Sequence, residues 1–516
     1  MFFSSVFVSF RKPSSLFREF PRNSKFEFPA VFLFTFRAIL KEPISTKFDH
    51  FLRLKFPDSV AVRPQNKRHA MKVKVISRNP DNYVRETKKD IHRVFRNYDA
   101  AQHPFEGARE YVRALNATKL ERVFAKPFVG NLDGHKDGIS ALAKHPKSLS
   151  ILLSGSYDGE VKLWNVPAQE CMQSVLCHSG YVRGITFSND GSRFFTIGDD
   201  KAIKMWDSGI ADSEEDQHEP LNTILGKTVV TSISHNYEEP FFATAGESCH
   251  IWEETRNAPI KTLQWGVDTL YDIKYNPVET SLMAACCSDR GIIFYDQREI
   301  KPLRKIVMTL RPNQLAWNPM QAYYFTVASE DYNLYTFDTR RLQNPLKIHG
   351  GHVSAVTCVD YAPTGREFVS GSYDKTIRLF DAHKANSREI YHTKRMQHVT
   401  CVGWSLDNKY VYSGSDEMNV RLWKARAAEK LGALQPREKQ AFKYNEALKE
   451  KYAAHPQIRR IAQHRQVPKM VYKEREKLQT VKQKIKRKED NVRKNSKPGK
   501  VPYVAESKKK VLREES

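Results

Sequence analysis

Histidine–aspartate pairs are the residues of this 516-residue chain best suited to proton transfer or metal binding: His135, His178 and His352 stand ahead of Asp158, Asp200 and Asp374. A histidine beside a carboxylate is what a general base or a metal site would use. The acid, however, recurs without the histidine. An Asp lies six residues before an aromatic at Asp158, Asp200, Asp289, Asp331 and Asp374. A catalytic constellation is assembled once, whereas a feature repeated at one offset belongs to architecture, so these pairs read as buried hydrogen-bond networks that stiffen the fold. Cysteine chemistry is equally unsupported. Seven Cys are scattered without zinc-type spacing, and Cys286-Cys287 sit in a strand-like run from Leu282 to Cys287. An odd count with no framework fits a reducing compartment. There is no Walker loop, dinucleotide fingerprint or nucleophile elbow. The chain is expected to be no enzyme and to need no cofactor or metal.

The elements that hold those acids are set by seven aromatics, Trp164, Trp206, Trp252, Tyr295, Phe337, Phe380 and Trp423, at successive gaps of 42, 46, 43, 42, 43 and 43 residues. A period of about 40–45 residues closing on an aromatic is the pattern of WD40 repeats. Each repeat is a four-stranded blade that cannot bury its own faces, so the blades close into a ring. The clearest copies are Ser154-Gly-Ser-Tyr-Asp-Gly-Glu-Val-Lys-Leu-Trp164 and Ser370-Gly-Ser-Tyr-Asp-Lys-Thr-Ile-Arg-Leu-Phe380. In both, a tight turn carrying Asp precedes a strand. Around Trp252 the turn acid and Gly-His pair are missing, and Glu417 replaces Asp in the last copy, so those turns are expected to be less rigid. The longest interval holds Asp212-Ser-Glu-Glu-Asp216, read as an exposed loop. Closing the ring needs an outer strand for the last blade, and Val123 to Leu132 is the natural donor. The expected fold is all-β: a seven-bladed WD40 β-propeller over residues 123–425, with a basic α-helical extension over 426–516.

Charge divides the chain. Residues 71–423 carry 43 Lys+Arg and 43 Asp+Glu, whereas residues 424–516 carry 28 against 11 and residues 1–70 carry 13 against 5. That central span, with the ring in it, is neutral overall, and the charge that attracts polyanions lies in the tails. After Pro468, Val471, Leu478, Val481, Ile485 and Val492 fall on one stripe of a helix with Lys and Arg around it, ending by Pro498-Gly499. A second helix is expected after Pro436, with Phe442, Tyr444 and Leu448 available for packing. The basic cluster Ile458-Arg-Arg-Ile-Ala-Gln-His-Arg465 lies between them. Such a tail suits a partner's groove while touching RNA phosphates, or it could pack back on the ring. Residues 1–70 hold 14 of the 29 Phe. They read as a dispensable extension upstream of a start at Met71, with an organelle transit peptide as the alternative, and are too interrupted to span a membrane.

Segments outside the repeats make the resemblance specific. Met71-Lys-Val-Lys-Val-Ile-Ser-Arg-Asn-Pro-Asp-Asn-Tyr83 opens a stretch reaching Phe128, and His455-Pro-Gln-Ile-Arg-Arg-Ile-Ala-Gln-His-Arg465 lies in the tail. With the repeats, these segments resemble the suppressor-of-fibrillarin protein family over residues 71–510, residues 71–122 being its N-terminal segment. That resemblance implies a nucleolar scaffold of the small-subunit processome, partnered by pre-ribosomal RNA and U3 small nucleolar RNP proteins, acting in maturation of 18S ribosomal RNA. Arg459, Arg460, Arg465, Lys484, Lys486, Arg487 and Lys488 are the expected RNA or partner contacts. A second resemblance sits in Tyr295-Asp-Gln-Arg298 and Phe337-Asp-Thr-Arg340. These are similar to the paired boxes of cullin-4 ubiquitin ligase substrate receptors, which implies adaptor binding through Asp296, Arg298, Asp338 and Arg340. The alternative is that Asp-x-Arg is only strand-end chemistry.

Overall fold

A strand with alternate apolar residues buries one face, and here both faces of each sheet are buried because sheet packs on sheet. The computed structural model describes residues 104–209, 219–266 and 269–515. The expectations for residues 1–70, for residues 71–103 of the N-terminal segment and for the acidic loop at Asp212–Asp216 lie outside them. The described strands form seven antiparallel sheets, each assembled mainly from consecutive strands. Blade 1 comprises Ile139–Lys144, Ile151–Ser156, Glu160–Asn165 and Glu170–Leu176. Blades 2 to 6 begin at Val182, Ser232, Leu270, Pro312 and Val356. Blade 7 contributes Val399–Trp404, Tyr410–Ser415 and Val420–Lys424. Its outer strand is Phe128–Leu132, antiparallel with Leu132 opposite Val420 and Phe128 opposite Trp423. The ring is thus closed by the expected donor, although residues up to Val123 belong to a helix.

All seven closing aromatics are buried. The indoles donate to a hydroxyl on the neighbouring strand: Trp164 to Ser154 (2.7 Å), Trp206 to Thr196 (3.0 Å), Trp252 to Thr244 (2.9 Å) and Trp423 to Ser413 (2.8 Å). In blade 2 the same hydroxyl meets His178 Nε2 at 2.9 Å, and His178 Nδ1 meets Asp200 at 2.9 Å. In blade 6, His352 bridges Ser370 (2.8 Å) and Asp374 (2.9 Å). Blade 1 departs from this. His135 meets Ser154, but its Nδ1 faces Glu160 at 3.9 Å, while Asp158 accepts the Glu160 N–H to hold its own turn. A glutamate two residues along has displaced the turn acid there. In six blades the residue after the turn acid is left-handed: Gly159, Lys201, Arg290, Tyr332, Lys375 and Met418. Blades 3 and 7 form as the others do, and the Glu417 of blade 7 pairs with Arg421.

Two carboxylates stitch inner strands across blades. Buried Asp272 accepts from Ser232 Oγ of blade 3 (2.8 Å) and the Leu315 N–H of blade 5 (3.1 Å). Asp360 of blade 6 accepts from the Trp404 N–H of blade 7 (2.7 Å) and Lys144 Nζ of blade 1 (2.8 Å).

Outside the ring lie helices α1 (Glu106–Val123), α2 (Pro436–Lys451), α3 (Pro456–Gln463) and α4 (Lys469–Asn495). Proline at the first position opens α2 and α3, where its missing N–H costs nothing. The tail does pack back, and its partner is the N-terminal helix as much as the ring. Ala114 of α1, Leu448 of α2 and Ile458 of α3 share one small core with Tyr111, Leu115 and Tyr452. Lys449–Glu121 (2.9 Å) and Lys451–Glu110 (2.6 Å) flank it. The expected all-helical tail is corrected at its end, where Val511–Glu515 is a strand on blade 4.

Burial of His135 and His349 holds both imidazoles down at about 4. The unfolded chain takes up protons on them from about pH 6.5 downward, so stability is complete above that value and is lost as pH falls toward 4. The loss reaches at most about 3 kcal/mol for each histidine. Thermal melts at pH 7.5, 6 and 5 are expected to show it, and a flat profile would contradict it. Thr196→Val, which keeps shape but strips the hydroxyl shared by His178 and Trp206, is expected to cost about 2–4 kcal/mol by denaturant titration.

Candidate functional site

The two Asp-x-Arg boxes end the third strands of blades 4 and 5, Gly291–Asp296 and Leu334–Asp338. Each Asp folds the chain back on itself: Asp296 accepts the Arg298 N–H (2.9 Å) and Asp338 the Arg340 N–H (3.0 Å). Asp381 does the same for His383 in blade 6, without any arginine (3.0 Å). The Asp is therefore strand-end chemistry, and the arginine is what the two boxes add. Arg298 reaches Ser281 Oγ at 3.0 Å and remains exposed. Arg340 forks onto Asp338 (3.0 and 2.8 Å) and lies 4.6 Å over the Tyr323 ring. That pairing holds the Asp338 carboxyl below the ordinary range. Arg340 opens into a cleft of about 970 Å³ that also holds Arg341, Arg304 and Glu514, the last two 3.5 Å apart. Arg341 is a cation the box pattern does not cover, although it is the next residue in sequence. Two neighbouring blades thus carry an exposed arginine at equivalent strand ends: Arg298 spends one donor on Ser281 and keeps the rest for a carboxylate or carbonyl, whereas the Arg340 fork is already engaged by Asp338.

The tail arginines divide. Arg465 is spent inside the molecule: its guanidinium donates to the carbonyls of Arg388, Ala462 and His464 and lies 4.0 Å from Glu389. Arg122 of α1 pairs with the same Glu389 at 3.2 Å. Arg465 thus fastens the helices to the outer strand of blade 6, and the donors it spends there set it apart from the exposed arginines of α3. Arg459 and Arg460 are exposed on α3. Lys484, Lys486, Arg487 and Lys488 are exposed on α4 and make no hydrogen bond or ion pair among the described residues. The apolar stripe beside them is uncovered, with Val481, Ile485 and Val492 each about half exposed, while Val471 is buried. Both ring nitrogens of His178 and His352 are bonded inside their blades, to a turn Asp on one side and a strand hydroxyl on the other. Burial raises the thiols of Cys286 and Cys287 and keeps them unreactive. Among the described residues no helix is long and apolar enough to cross a membrane.

Residues 425–511 match the Sof1-like domain, and residues 126–165, 169–207, 343–381 and 389–424 match the WD domain, G-beta repeat. The chain is 59% identical over 443 residues to the DDB1- and CUL4-associated factor 13 of Danio rerio, covering 86% of this chain and 99% of that protein. It is 56% identical over 442 residues to the protein of the same name from Homo sapiens, with the same coverage. The Dictyostelium discoideum protein of that name is 45% identical over 435 residues, covering 84% of this chain and 97% of its own length. The chain belongs to the Sof1-like WD40-repeat family. The Sof1-like match begins directly after the last ring strand and takes in α2, α3, α4 and the start of the final strand, so that segment contains the two tail helices that dock on α1 and the free basic run.

Arg465→Ala is expected to loosen α1–α3 from blade 6, cost about 1–3 kcal/mol and speed proteolytic cleavage between α2 and α4. Changing Lys484, Lys486, Arg487 and Lys488 together to Gln is expected to leave both melting and proteolysis unchanged. An equal effect of the two sets would contradict the division drawn here.

Proposed function

We propose that this Sof1-like protein is a nucleolar scaffold component of the small-subunit processome, acting in 18S pre-ribosomal RNA processing with the U3 small nucleolar RNP. The observation that carries this reading is the partition of charge. The ring over residues 123–423 carries 31 Lys+Arg against 36 Asp+Glu, while α4 presents Lys484, Lys486, Arg487 and Lys488 unpaired to solvent. Such a run binds phosphates by releasing counterions and needs no base contact. Family membership and the uncovered stripe beside the run support a tail that touches RNA and protein together. The ring, with no free catalytic group on its His–Asp networks, serves as a docking wheel.

A second reading is favoured by the boxes. The relatives' name, DDB1- and CUL4-associated factor 13, together with exposed Arg298 and Arg340, supports a substrate receptor of a cullin-4 ligase that meets its adaptor through Asp296, Arg298, Asp338 and Arg340. Crosslinking of RNA to the tagged protein in cells, with sequencing of the RNA, tests the first reading. Precursor ribosomal RNA crosslinked to the tail is expected, and its absence would overturn the proposal. In vitro, the four-residue Gln variant is expected to lower the slope of log affinity against log salt by about 3 for single-stranded RNA. Arg298→Ala with Arg340→Ala is expected to abolish adaptor pull-down while sparing 18S maturation; unchanged pull-down would leave the boxes structural.

A further inference from the structure

Blade 4 differs from the other six in having five strands. The fifth, Val511–Glu515, comes from the end of the chain and lies antiparallel on Arg304–Met308, with Lys305 opposite Glu515, Ile306 opposite Glu514 and Val307 opposite Arg513. Just ahead of it, the Lys510 carbonyl accepts the Thr309 N–H at 3.1 Å. Three side chains fix the register. Lys510 Nζ reaches Asp331 of blade 5 at 2.7 Å, Val511 packs on the cluster of Ile306, Met308 and Leu342, and Glu514 faces Arg304.

Asp331 explains why a lysine is wanted there. It is the turn acid of blade 5 and its side chain is only 10% exposed. Four other turn acids find a cation or an imidazole within the ring, Asp289 with Lys305, Asp200 with His178, Asp374 with His352 and Glu417 with Arg421, while in blade 1 Glu160 takes that place instead of Asp158. Blade 5 offers Asp331 only neutral donors, the Tyr335 hydroxyl (2.6 Å) and the Asn333 amide. A buried carboxylate without a countercharge is costly, and the lysine that meets it arrives with the tail. Meanwhile the strand itself is lightly held. Leu512 and Arg513 point to solvent, and Val511 is its one apolar anchor. A terminal strand ordered by few contacts sits at the low end of local stability.

We propose that this edge is a strand-docking site for an extended segment bearing a lysine, a β-branched residue directly after it and an acid three residues further on, and that the chain's own C-terminus is a resident ligand exchangeable for a partner's segment of that chemistry. Main-chain pairing supplies the affinity, while Asp331, the Val511 contact and Arg304 read the sequence. Tethering keeps the resident in place at high effective concentration. Its release would also free the segment joining α4 to the ring, which is otherwise pinned by Lys509 on Glu489.

Hydrogen exchange on the full chain tests this. In the wild type the amides of residues 304–308 and 511–515 are expected to be protected. Lys510→Glu, and separately Val511→Pro, which cannot donate from its backbone nitrogen, are expected to lose that protection while the outer strands of the other blades keep theirs. A synthetic peptide of residues 506–516 is expected to restore protection at 304–308 in either variant, and the same peptide carrying Lys510→Ala is not. Unchanged protection in both variants would show that Lys510 and the ladder do not hold the strand. Loss throughout the ring would make the strand an integral part of the fold, and failure of the peptide to restore protection would show that the edge takes no strand in trans. Each of these overturns the proposal.

Discussion

Every blade of this ring is apolar on both faces, so none has a complete core until its neighbours arrive, and the first and last blades meet only when Phe128–Leu132 lies on Val420–Lys424. That one pairing converts an open row of sheets into a closed one with no exposed end faces. The inner stitch by Asp360 depends on it, because Asp360 bridges blades 6, 7 and 1 across the join. The placement of α1 depends on it too. The helix ends at Val123, a few residues before the closing strand, so ring closure delivers α1 to the side of blade 6 where Arg122 meets Glu389.

From there the tail has a partner already in position. The α2 and α3 helices are too short and too polar to be stable alone; together with α1 they bury Ala114, Leu448 and Ile458 in one shared core. Glu389 binds Arg122 and Arg465 together, so one carboxylate of blade 6 holds both flanks. The fold thereby consumes Arg465, Lys509 and Lys510 and leaves Arg459, Arg460 and the basic run of α4 exposed. The carboxylate or carbonyl each side chain meets, more than its residue type, decides which cations remain for a partner.

Features with a period were legible in the sequence. Seven aromatics at nearly constant spacing specify seven sheets, a turn acid at a fixed offset specifies the turn, and an apolar stripe after Pro468 specifies α4. The closing strand was legible because a ring with one strand missing has few places to find it. What could not be read were pairings between distant residues of ordinary type. Nothing near Glu160 announces that it, and not Asp158, faces His135. Arg465 resembles Arg459 and Arg460 in sequence and differs only in meeting the carbonyls of blade 6. Lys510 is the last of three consecutive lysines, and its role follows entirely from a vacancy beside Asp331, 179 residues earlier.

The two surfaces that carry functional weight are therefore built in different ways. The arginine boxes belong to the repeat itself: an Asp ends a strand in several blades, and an arginine two residues on turns a structural cap into a donor fork at no cost to the cap. The basic run belongs to a segment outside the repeat, held to the ring at α3 and again at blade 4. Glu514 of the tail strand and Arg340 of the second box line one cleft with Arg304, so the tail strand borders the second box at blades 4 and 5. A partner that engages Arg340 must accommodate the tail strand where it lies, or displace it. If an adaptor engages the second box as proposed, the Arg304–Glu514 pair is where that contact meets the tail strand.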